Sequence, residues 1–194
     1  MPEREQKGAD IMTKYERPND LLLLAGKVLT VIGQIGLAIG GLALTIAIPL
    51  FLFFGNEISA EIAEQGTTAI GPFPTFALLA FIVTVLFAMF LAFLFFGKLR
   101  AIISSVGEGD PFVPENAERL NIMAWLMLGI QFLLIPAAGF GLMLAKWADE
   151  MEHAEFTIDV GLDLTGILMV IVLFILARVF KHGAAMREDL EGTV

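Results

Sequence analysis

Four stretches of this chain carry no ionisable side chain, and they decide most of what it can fold into: Val28 to Phe54, Ala69 to Phe96, Ile122 to Ala145 and Leu164 to Ala177. A helix needs about 20 apolar residues to cross about 30 Å of hydrocarbon. The first three stretches exceed that length. The fourth reaches it by borrowing from its flanks, with Asp163 at one edge and Arg178 placed to snorkel to the headgroups at the other. With 57% hydrophobic residues, 17% charged residues and a mean hydropathy of +0.81, the chain as a whole has lipid as its preferred solvent. The expected fold is all-α, an integral membrane four-helix bundle with spans of about 28–54, 69–97, 122–146 and 162–181. These form one domain over 21–194, preceded by a polar, disordered tail over 1–20.

The opening segment MPEREQKGADIMTKYERPND is charged throughout and holds no short apolar region followed by small residues, so it is not read as a signal peptide. Orientation follows from lysine and arginine. Of the 12 basic residues, all but Lys146 fall in the N-terminal segment, the loop between the second and third spans, or the C-terminal segment. By the positive-inside rule both termini are expected in the cytoplasm. Most of the formal net charge of −9 then belongs to the two outer loops. The acidity therefore says nothing about nucleic acid, and direct nucleic-acid binding is not expected. The absence of cysteine excludes disulfides, thiolate ligands and thiol nucleophiles.

Within the spans the side chains speak mostly of packing. Gly33, Gly36, Gly40 and Ala43 recur at helical spacing in the first, and Gly36 with Gly40 makes a GxxxG that lets two helix backbones approach, within the chain or between copies in a homo-oligomer. Pro136, followed by Ala137, Ala138, Gly139 and Gly141, is expected to kink or loosen the third. Gln34 and Gln131 are the amides at depth, each able to bond across to another helix. No Asp, Glu, Lys, Arg or His lies deep in a span, which disfavours proton-coupled or ion-coupled transport. An oligomeric pathway lined by Gln34, Gln131, Thr45 and Thr84 stays open, as does a structural or stress-response membrane protein.

Chemistry finds little support. Asp149, Glu150, Glu152, His153 and Glu155 are donors in an outer segment, but Trp147, Met151 and Ala154 share one helical face there. That pattern describes a helix running past the bilayer with its acids solvated, and Asp159 or Asp163 would cap the last helix. No calcium loop is present, and no metal site is expected. His153 and His182 sit on opposite sides of the membrane and cannot share a site. No nucleophile motif, P-loop or dinucleotide fingerprint appears, so neither a cofactor nor enzyme activity is expected.

The polar stretch GEGDPFVPENAERL, residues 107–120, falls in the loop between the second and third spans. Before it, Leu99, Ile102, Ile103 and Val106 form an apolar stripe, so the second helix continues beyond the bilayer until Gly107 and Gly109 stop it. Pro114 suits the first turn of the next helix and Glu115 its positive end. Phe112, between two prolines, fits neither helix. Two readings follow. In the first, Phe112 folds back over apolar neighbours and Asn116 bonds loop backbone, making a well-formed corner; in the second, the same surface docks a partner.

The segments LRAIISSVGEGDPFVPENAERL and ILARVFKHGAAMREDLEGTV, each at the inner end of a span, resemble the bacterial four-span membrane family known as domain of unknown function 2975. The specific parts are a GDPF-x-x-EN-x-x-RL loop and a VF-x-x-G-x-x-x-x-x-D tail, and the resemblance runs from about Leu21 to Val194. It implies residence in the bacterial inner membrane and a role beside a small helix-turn-helix regulator of the Xre type. The implied function is a membrane-embedded partner that sequesters or signals to that transcription factor. Its contact surface would combine Asp110, Pro111, Phe112, Glu115, Asn116 and Arg119 with Arg178, Phe180, Gly183 and the tail.

Overall fold

The computed structural model describes residues 17–65, 73–152 and 164–191. They form four helices: α1 Arg17–Gln65, α2 Thr75–Gly107, α3 Pro114–Glu152 and α4 Leu164–Glu191. Among the described residues there is no strand. All four helices are long and apolar enough to cross a membrane. The molecule is an all-α, multi-pass membrane protein.

Each helix is longer than its charge-free stretch. α1 includes the last residues of the polar N-terminal segment, and Pro18 suits its first turn because the missing N–H there would have no intrahelical partner. At the other end it runs through EISAEIAEQ, where Ala and Glu are good helix formers. Pro136 lies inside continuous α3, and Pro49 likewise inside α1. The outer segment read for metal ligands and for capping by Asp159 or Asp163 lies almost wholly outside the described residues or side chains.

The bundle is assembled from neighbours in sequence: α1 packs on α2, α2 on α3, and α3 on α4. Among the described residues the backbone of α1 approaches neither that of α3 nor that of α4. Its seam with α2 uses glycines at heptad spacing. A Cβ at Gly26 would meet Ile103, one at Gly33 would meet the Phe96 ring, and one at Gly40 would come within 2.7 Å of Met89 Cε. Those three partners recur at the same heptad spacing along antiparallel α2, so each large side chain enters a gap left by a glycine. Gly36 has no atom within 4 Å of where its Cβ would stand. The working repeat is therefore Gly26, Gly33 and Gly40; of the two glycines in the GxxxG, only Gly40 meets α2.

A hydrophobic cluster sits toward the end of the bundle that holds Arg17, the α2–α3 turn and Glu191, here called the terminal end. Ile102 of α2, Leu120, Met123 and Ala124 of α3, and Leu173 and Ala177 of α4 are buried together, with Leu99, Val106 and Phe180 packed against them. The cluster lies at the level of the first charged residues that bound the spans, Lys98, Arg119 and Arg178.

Candidate functional site

The terminal end is organised around the α2–α3 turn. α2 closes with a Schellman motif: Asp110 N donates to Ser105 O and Gly109 N to Val106 O, both at 3.1 Å. The motif requires a left-handed residue between them, and Gly109 supplies it with φ +86°. Two of the last helical carbonyls are thereby satisfied, and the chain is turned back toward the bundle. α3 then starts at Pro114 with Glu115 in its first turn, and Asn116 N donates to Val113 O.

Asn116 ties this turn to both helices. Its side chain is fully buried. Nδ2 donates to Pro111 O at 2.9 Å and to Ser105 Oγ at 2.7 Å, while Oδ1 accepts from Arg119 Nη1 at 2.8 Å. Ser105 commits its single proton to Ile102 O at 2.8 Å. The amide thus has its two protons and its oxygen engaged, joining the last turn of α2, the loop backbone and the first turns of α3. A fully partnered amide tolerates burial; an unpartnered one would cost about 1–3 kcal/mol.

The turn is also fastened to α4. The Phe112 ring lies 5.3 Å from that of Phe180 and so close to Gly183 that a Cβ there would stand 2.7 Å from its Cδ1. Next to it, Arg187 Nη1 donates to Asp110 Oδ1 in an ion pair whose two side chains are partly exposed. Phe180, Gly183 and Arg187 fall on one face of α4 at helical spacing, the face that receives the turn.

Of the residues singled out in the sequence for partner binding, the structure brings Asp110, Pro111, Phe112, Asn116, Arg119, Phe180 and Gly183 into this one intramolecular assembly. Glu115 and Arg178 are exposed and stand outside it. The geometry is that of a well-formed corner, with Phe112 folded back and Asn116 bonding loop backbone. Two members were not singled out. Ser105 had no distinguishing pattern in sequence, and Arg187 sits in a tail where several charges offer equal pairings.

Two threonines at membrane depth bond within their own helices. Thr45 Oγ1 donates to Gly41 O and Thr84 Oγ1 to Ala80 O, each to its own helix at 2.7 Å. Gln34 Nε2 reaches across to Phe93 O at 3.4 Å, beside Gly97, whose missing side chain makes room for it.

Four apolar helices closed at one end by a hydrogen-bonded turn define the protein as a multi-pass membrane protein. Residues 56–194 match the model of the family described as Protein of unknown function (DUF2975), and the chain belongs to that family. The match begins near the end of α1, so most of that helix lies before it. No curated protein and no solved structure matches the chain.

Proposed function

We propose that this protein is a membrane-embedded partner for a small cytoplasmic helix-turn-helix regulator, with its terminal end facing the cytoplasm. The orientation rests on the basic residues, all but one of which flank that end or precede the first span. The observation that supports the role is the set of hydrogen bonds that ties down a short, partly exposed turn. Asn116 and the Asp110–Arg187 pair fix the backbone, so Glu115, the exposed edge of Phe112 and the carboxylate of Asp110 are presented without further ordering. A preformed surface binds at lower entropic cost than a floppy one. In this reading Asn116, Arg119 and Gly183 shape the surface and do not touch the partner.

The test is co-purification from native membranes in mild detergent, comparing wild type with Glu115→Lys. Glu115 is exposed, so its reversal leaves the fold intact while changing the presented charge. A DNA-binding regulator retained by wild type and lost from Glu115→Lys supports docking. If wild type retains no such protein under conditions that preserve other membrane complexes, the reading is overturned.

A further inference from the structure

Besides the face that receives the turn, α4 has a second face that forms one wall of a groove of about 660 Å³ against the first turns of α3. The groove is graded along its length. Phe174 and Ala177 lie at its membrane end, Arg178 and Lys181 in its middle, and Glu188 at its outer end, with Glu118 on the α3 wall. Trp125, exposed and in edge contact with Phe174 at 5.5 Å, continues the apolar end into the lipid-facing surface. Arg178 is the first charge met on α4 coming out of the membrane, and Arg119 the last on α3 going in, so the groove straddles the boundary between hydrocarbon and headgroups.

The groove carries charges of both signs. Arg178 and Lys181 are neighbours at i, i+3 spacing, where like charges repel. Yet among the described residues neither cation, and neither Glu118 nor Glu188, makes an ion pair. Two cations and two carboxylates thus line one groove unpaired, with no net charge between them. A phosphate between Arg178 and Lys181 relieves their repulsion through charge-assisted hydrogen bonds. A neighbouring ammonium meets the carboxylates, and an acyl chain continues along Phe174 toward Trp125. We infer that this groove is a binding site for a phospholipid with a phosphate–ammonium headgroup of the ethanolamine type, held in the leaflet at the terminal end. Basic pockets between membrane helices are a recurrent means of recognising headgroups; here the added carboxylates select the zwitterion over a purely anionic lipid. The site is independent of any docking at the α2–α3 turn.

The experiment is native mass spectrometry of the full chain in detergent, titrated in parallel with dioleoyl phosphatidylethanolamine and dioleoyl phosphatidylglycerol. Wild type is expected to retain the ethanolamine lipid preferentially. Arg178→Gln with Lys181→Gln should weaken that binding about tenfold or more, as expected for losing charge-assisted contacts. Glu118→Gln with Glu188→Gln should erase the preference between the two lipids. All four side chains are exposed, and retained helicity and unfolding midpoint separate loss of binding from loss of fold. Ala185→Trp, placed at the exposed edge of the groove, should exclude the lipid without removing a charge. Inorganic phosphate added in excess should leave the bound lipid in place. Equal retention of both lipids, unaffected by the arginine and lysine substitutions, would show unspecific belt lipid and overturn the proposal. So would a preference for phosphatidylglycerol, displacement by phosphate alone, or a dimer that these same substitutions dissolve.

Discussion

α3 passes through two environments, and its side chains record the difference. Near the terminal end Met123 is 2% exposed and Ala124 fully buried, packed between α2 and α4. Further along the same helix Phe132 is 66% exposed and Ile135 56%. Equally apolar residues are buried where α3 meets both α2 and α4 and exposed where no helix covers its outward face. In hydrocarbon an apolar side chain gains nothing by turning inward, and helices associate through close backbone approach and a few hydrogen bonds. At the water boundary the hydrophobic effect returns, backbone groups at helix ends need partners, and a core with a hydrogen-bonded turn becomes worth building.

The sharpest way to break this comparison is to truncate one residue on each side of it. Met123→Ala should cost about 2–5 kcal/mol, as for a core methionine elsewhere. Phe132→Ala should change stability by no more than about 0.5 kcal/mol, as for an exposed site. Reversible unfolding in mixed micelles, followed by circular dichroism, measures both, and equal losses would show that the two halves of α3 are not held differently.

The polar groups give a second contrast. Asn116→Leu strands the Pro111 carbonyl and the Arg119 guanidinium and should cost about 1–3 kcal/mol. Gln34→Leu removes one long bond at membrane depth, and its cost should stay below about 1 kcal/mol. The same unfolding assay ranks the pair, and the reverse order would place the critical amide in the membrane.

Fastening of the turn to α4 can be tested by crowding it. Gly183→Ala sets a methyl against the Phe112 ring and should cost about 1–3 kcal/mol. Combined with Phe112→Ala, most of that cost should vanish, so a double-mutant cycle reads the contact directly. Additive losses would mean that the two residues do not meet.

The smallest effect sharpens the description of the α1–α2 seam. Gly40→Ala meets the flexible end of Met89 and should destabilise slightly, while Gly36→Ala meets nothing and should be neutral or gain a few tenths of a kcal/mol from helix propensity. Thermal midpoints of the two variants decide it. Equal losses would restore Gly36 to the interface.

Much of this architecture is legible in the residues. The charge-free stretches define four membrane helices because a span's length and polarity are set by the bilayer, whatever its neighbours. The α2–α3 corner is legible too. Gly109 permits the left-handed residue that closes α2, and Pro114 opens α3, both local constraints on backbone geometry. Local rules fail where a choice depends on a distant partner. Gly33, Gly36 and Gly40 share a helical spacing, yet only the position of Phe96 and Met89 on α2 shows which of them carry the seam. The loop pattern has Asn116 bonding loop backbone, but Ser105 and Arg119 must converge on it as well before it becomes the centre of a buried hub. Arg187 and Asp110 pair across a long chain separation that no periodicity encodes. Likewise, nothing in the order of residues announces that Arg178, Lys181, Glu118 and Glu188 line one groove. The sequence by itself determined that this chain is four helices in lipid, joined by a proline-flanked corner, because length, polarity and backbone freedom act within a segment. Only the tertiary structure decided which glycines pack, which amide is buried and which charges face each other, because those depend on what the neighbouring helix brings to the same place.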